Sequence, residues 1–123
     1  MSKLYKNKNA NNIFVALFET EQNDGDITLQ EVNPNTTDAA QEKHVPVVEI
    51  DGNAITVSVG SVEHPMLAEH YITGIYIETK NGGQFKRLAP NDAPRAMFLL
   101  EEGDEFIAAY EHCNLHGTWK KDK

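Results

Sequence analysis

The sequence predicts an all-β protein, an antiparallel sandwich or barrel with a small β segment ahead of it. Three observations carry this. Short apolar runs are separated by turn residues roughly every 8–12 positions. The stretch Ala54-Ile55-Thr56-Val57-Ser58-Val59 alternates with period two, placing Ile55, Val57 and Val59 on one face. No segment shows apolar periodicity over the length of an ordinary helix.

The elements follow in order. Ile13 to Phe18 is an apolar run of strand length, and Glu21 to Asp26 reads as a turn. Ile27 to Val32 forms a second short strand. Asn33-Pro34-Asn35-Thr36-Thr37-Asp38 breaks the pattern as a linker, which divides the chain into residues 1–37 and 38–123. Val45 to Ile50 is rich in β-branched residues, and Asp51-Gly52 is a hairpin signal before Ala54–Val59. Tyr71 to Glu78 is a strand ending at Asn81-Gly82-Gly83. Phe85 to Leu88 and Ala96 to Leu100 continue the series, and Glu102-Gly103-Asp104 turns into Glu105 to Tyr110. The basic tail Lys120-Lys121-Asp122-Lys123 reads as a solvated, partly disordered terminus.

Composition narrows the function. With 123 residues, 40% of them hydrophobic, the chain can bury one core but not several. No apolar run nears the roughly 18–20 residues of a membrane span. The first residues, Met1-Ser2-Lys3-Leu4-Tyr5-Lys6, lead into Asn-rich sequence rather than an apolar signal region, so a cytoplasmic location is expected. A net charge of −8 argues against a nucleic-acid partner. A small anionic substrate would need a local positive patch, for which Lys43, Lys86-Arg87 and the C-terminal lysines are candidates. One cysteine excludes an intrachain disulfide and leaves a core residue, a nucleophile or a metal ligand.

The histidines decide among these. They stand at 44, 64, 70, 112 and 116. His44 precedes a strand, His64 and His70 bracket a loop, and His116 completes Cys113-Asn114-Leu115-His116. Strand ends and loops are where a sandwich gathers side chains from distant sequence. His112 is set apart, because in an extended stretch its side chain faces away from that of Cys113. Four imidazoles and a thiolate exceed the needs of a tetrahedral structural zinc site. Imidazole suits iron, copper, nickel and zinc, while a thiolate donates electron density, which describes a redox centre. Two other readings stay open on the residues alone: a cupredoxin-like electron-transfer protein, although no Met follows Cys113, and a structural zinc-binding module. A c-type haem is excluded because Cys-x-x-Cys-His does not occur.

Glu42-Lys43-His44-Val45-Pro46-Val47, then Glu63-His64-Pro65-Met66 with Glu69-His70-Tyr71-Ile72, then Cys113-Asn114-Leu115-His116-Gly117 with Trp119, resemble the superoxide reductase family, also called desulfoferrodoxin and neelaredoxin. The likeness covers about residues 38–120. It implies an immunoglobulin-like seven-stranded antiparallel sandwich carrying a mononuclear, square-pyramidal iron. His44, His64, His70 and His116 would be its basal ligands and Cys113 the axial thiolate, with the sixth position open. The implied reaction is one-electron reduction of superoxide to hydrogen peroxide. By the same resemblance Glu42 would occupy the sixth position in the oxidised resting state, and Lys43, on a mobile loop, would attract the anion and help supply protons. Asn114 and Leu115 would offer backbone N–H groups to the Cys113 sulfur. Many family members carry an N-terminal desulforedoxin-like domain whose four cysteines bind a second iron. Here Asn7 and Ala10 stand where the first two cysteines would fall, and residues 1–112 contain none. Residues 1–37 would then be a desulforedoxin-like segment without its metal, serving structure or dimerisation, with electrons supplied by an external donor such as rubredoxin.

Overall fold

The computed structural model describes residues 4–7, 12–18 and 29–123. The chain divides into two compact units, Met1–Asn33 and Pro34–Lys123. The expected boundary at 37–38 falls within the stretch that opens the second unit.

In the first unit, strands β1 (Leu4–Asn7), β2 (Ile13–Val15) and β3 (Leu29–Glu31) form an antiparallel sheet in the order β2-β1-β3. The expected strand from Ile13 stops at Val15, and Leu17 and Phe18 are exposed. β1 was not foreseen: Leu4-Tyr5-Lys6-Asn7 has too few apolar residues to show a period. The expected turn at 21–26, the start of the expected strand at Ile27 and the position of Ala10 lie outside the described residues.

The second unit opens with one helical turn, α1 (Gln41–His44), followed by β4 (Pro46–Asp51), β5 (Ala54–Val59), β6 (Ile72–Thr79), β7 (Gly82–Arg87), β8 (Arg95–Leu99), β9 (Phe106–Cys113) and β10 (Gly117–Asp122). The strands make two antiparallel sheets, β10-β9-β6-β7 and β4-β5-β8. This is the seven-stranded immunoglobulin-like sandwich that the resemblance implied. Alternation selects the inner faces. Ile55, Val57 and Val59 from β5 and Ala96 and Phe98 from β8 meet Ile72, Ile75 and Ile77 from β6 and Phe106, Ala109 and Cys113 from β9 in one core.

Two local expectations are corrected. The C-terminal lysines are no loose tail: Lys120, Lys121 and Asp122 pair with Tyr110, Ala109 and Ala108 of β9. Lys120 lies over the Tyr110 ring and bridges Asp122 at 3.0 Å. The linker protects this edge strand. Asn35, in the left-handed region at φ 62°, accepts a hydrogen bond from the Lys120 N–H (2.7 Å), and its side-chain amide donates to the Lys120 carbonyl (3.1 Å). The segment bearing Glu42 and Lys43 is a helical turn and not a loop.

Topology places the chemistry. Pro46 starts β4 opposite Val59, the last residue of β5. Ile72 starts β6 opposite Cys113, the last residue of β9, and Gly117 starts β10 opposite the same residue. His44, His64, His70, Cys113 and His116 all flank these strand ends, so antiparallel pairing alone brings them to one end of the sandwich.

Candidate metal centre

The ligand atoms of His44, His64, His70 and Cys113 lie within 4.8 Å of one another. His116 joins them, with Nδ1 3.2 Å from His44 Nε2 and 3.8 Å from Cys113 Sγ. Cys113 Sγ is 3.5 Å from His64 Nε2. The imidazole rings of the cluster meet edge to face, with centroids 4.7–5.1 Å apart.

The backbone sets the ring states. His44 Nδ1–H donates to the Ala40 carbonyl (2.6 Å) and His64 Nδ1–H donates to the Pro65 carbonyl (2.6 Å). Each bond fixes the tautomer and turns an Nε2 lone pair toward the cluster. Burial lowers the pKa of His44 and His70 and takes His64 down to about 4. Mutual repulsion among the rings works in the same direction. These are neutral imidazoles at pH 7, the form that binds metal. His70 Nε2 is buried without a hydrogen-bond partner among the described residues. Converging lone pairs and an orphaned buried nitrogen fit a metal cation, which would satisfy every one of them.

Cys113 is fully buried. Burial raises its pKa, whereas the N–H groups of Leu115 and His116 favour the thiolate. The expected donor pair is therefore corrected: Leu115 serves, but Asn114 does not, because its N–H is given to the Tyr71 carbonyl (3.2 Å). Gly117, at φ 80°, reverses the chain after His116 into β10. His112 points to the opposite side of β9 and bonds the Thr118 hydroxyl (2.9 Å).

Glu42 and Lys43 are exposed on α1 beside the cluster. The positive charge of Lys43 contributes to the lowered pKa of His70. The turn after β5 anchors this segment. The Glu42 carbonyl accepts the Val62 N–H (2.9 Å) and the Ser61 hydroxyl (3.3 Å). A Cβ on Gly60 would sit 2.6 Å from that carbonyl oxygen, so only glycine permits the approach. Of the other candidate positive patches, Lys86 lies over the Phe98 ring, and the C-terminal lysines belong to β10.

Sequence reasoning missed Glu111. It occupies the same face of β9 as Cys113, is 1% exposed, and neither carboxylate oxygen has a partner among the described residues. Burial pushes its carboxyl up to about 9, so it is protonated at pH 7. The unfolded chain ionises this group near 4.5, so above that pH folding must take up a proton. In the metal-free chain Glu111→Gln is expected to gain stability as pH rises from 4.5 to 9, on the order of 3 kcal/mol at pH 7. Urea unfolding at pH 4.5 and pH 8 checks this; an equal difference at both would contradict it.

The chain is similar to known proteins over most of its length. Residues 36–122 match the family described as Desulfoferrodoxin. A desulfoferrodoxin from Clostridium acetobutylicum is 40% identical over 124 residues, covering 97% of this chain and 94% of the relative. The crystal structure of the superoxide reductase from Treponema pallidum aligns over 99% of both chains with a TM-score of 0.81 and 38% identity. A superoxide reductase (1Fe-SOR) from Giardia intestinalis aligns over 67% of this chain and 97% of its own, with a TM-score of 0.58 and 31% identity. With its sandwich, its clustered imidazoles and thiol and these matches, the chain belongs to the desulfoferrodoxin family.

Proposed function

We propose that this chain is a superoxide reductase, holding one iron with His44, His64, His70, His116 and Cys113. The carrying observation is the convergence of four imidazoles and one thiol at the end of the sandwich, two of the rings held by backbone carbonyls. The reaction consumes superoxide, one electron and two protons and yields hydrogen peroxide. A bound iron supplies the one-electron couple.

The chain's own groups have distinct tasks. Cys113 would hold the cation as a thiolate, its proton released to solvent, and the Leu115 and His116 N–H groups would stabilise the sulfur charge. The neutral His44, His64 and His70 rings offer lone pairs to a cation and carry no charge that would repel it. Lys43 gives the local positive field that a net charge of −8 otherwise denies a small anion, and it orders water that donates protons. Glu42, beside it on α1, would offer its carboxylate to the oxidised metal. No cysteine stands in residues 1–112, so residues 1–37 are a metal-free desulforedoxin-like segment serving structure or dimer formation. Electrons then come from an external one-electron donor of the rubredoxin kind. Among the described residues no helix is long and apolar enough to cross a membrane, and the cytoplasm is the compartment we assign.

The test is metal content and colour. Purified protein should carry about one iron per chain and turn blue on oxidation, through thiolate-to-ferric charge transfer. Colourless protein containing zinc would favour the structural module, and copper the cupredoxin-like reading. Lys43→Ala is expected to keep its iron while capturing superoxide about tenfold more slowly at low ionic strength. Stopped-flow capture rates at two salt concentrations check this, and an unchanged rate would remove the steering role.

A further inference from the structure

We infer that Asn114 is a positioning residue for His70, tying the 69–71 segment to the Cys113–His116 loop. The β6–β9 ladder ends at the Ile72 and Cys113 pair. Asn114 extends it beyond that rung. Its N–H donates to the Tyr71 carbonyl (3.2 Å), its side-chain oxygen accepts the Tyr71 N–H (2.9 Å), and its side-chain amide donates to the Glu69 carbonyl (3.1 Å). The side chain thus acts as an extra peptide group, holding the residues on both sides of His70.

His70 needs this hold more than His44 or His64 does. The His44 and His64 rings are each locked by a bond from Nδ1 to a carbonyl. Among the described residues the His70 ring makes no hydrogen bond, and it is aimed by its backbone and by packing against His64 and His116. Its backbone is fixed by the narrow Leu67–His70 turn, with reciprocal bonds of 2.9 and 3.1 Å, and then by Asn114. A one-residue tether between two ligand-bearing segments sets their separation, and small displacements of a ligand cost affinity steeply.

The inference rests on His70 serving as a ligand, so the test is a double-mutant cycle in the full chain: Asn114→Ala, His70→Ala and both together. The probe is Co2+ alone, titrated against a chelator and read by thiolate-to-cobalt absorption, so neither iron loading nor activity is needed. Asn114→Ala should weaken Co2+ binding about 10- to 100-fold in the chain that keeps His70. In the His70→Ala background the further loss should be under about twofold. Equal losses in both backgrounds would show that Asn114 merely supports the fold or the Cys113 loop, and would overturn the inference alone. Unchanged affinity in His70→Ala would contradict the ligand set, and the inference with it. Should Asn114→Ala not fold, Asn114→Asp, which keeps the acceptor for the Tyr71 N–H, takes its place in the same cycle with a smaller expected loss.

Discussion

Cys113→Ser is expected to abolish superoxide reduction, lowering turnover more than about a hundredfold, and to remove the visible band of the oxidised protein while the sandwich persists. Even outer partners of a metal ligand contribute about 10- to 100-fold, so losing the one sulfur donor costs more. A serine hydroxyl does not ionise near neutral pH, and its oxygen is a poorer electron donor than sulfur. The two N–H groups aimed at the sulfur, from Leu115 and His116, would face a neutral oxygen. The substitution is nearly isosteric at a fully buried site, so the folded chain should lose only about 1–3 kcal/mol from burying a hydroxyl. Circular dichroism, visible absorption and peroxide yield on one preparation check this together. A blue, active Cys113→Ser protein would remove Cys113 from the site.

Trp119→Ala is expected to have the largest effect on stability and to weaken the metal centre as well. Trp119 is 1% exposed at the inner end of β10. Its ring stacks on His44, with centroids 5.1 Å apart and planes 28° from parallel, and its Nε1–H donates to the His116 carbonyl (3.0 Å). One side chain thus backs the His44 ring and fixes the backbone of His116. Truncation should cost about 3–5 kcal/mol in the metal-free chain, measured by urea unfolding. Co2+ affinity should fall by more than tenfold, in the range of outer-partner effects of about 10- to 100-fold. Trp119→Phe keeps a ring beside His44 and gives up the N–H, so it should retain most of the stability but not all of the affinity. A large stability loss with unchanged affinity in Trp119→Ala would reduce Trp119 to a core residue.

The sandwich was legible in the sequence where one face of a strand is wet. Ala54–Val59 alternates cleanly because its outer residues meet solvent. β10 was hidden because Lys120, Lys121 and Asp122 carry the composition of a loose tail. Their strand exists through pairing with β9 and through Asn35, at a sequence separation no local pattern reports. α1 was hidden for a different reason: one turn is too short for a period, and tertiary bonds to the Glu42 carbonyl hold it. The cluster itself was visible, because few side chains bind metals and their spacings are distinctive. The roles of Asn114, Trp119, Gly60 and Glu111 were not, although Asn114 and Trp119 stood in the recognised motif, since those roles come from contacts across the fold that no local pattern reports.

Reduction of superoxide is distinguished from its disproportionation by the ratio of products. Iron-loaded protein kept reduced by an external one-electron donor should form one hydrogen peroxide for each superoxide consumed, release no dioxygen, and oxidise the donor in equal amount. One peroxide for every two superoxide with dioxygen evolved, or no consumption above the uncatalysed rate, would contradict it.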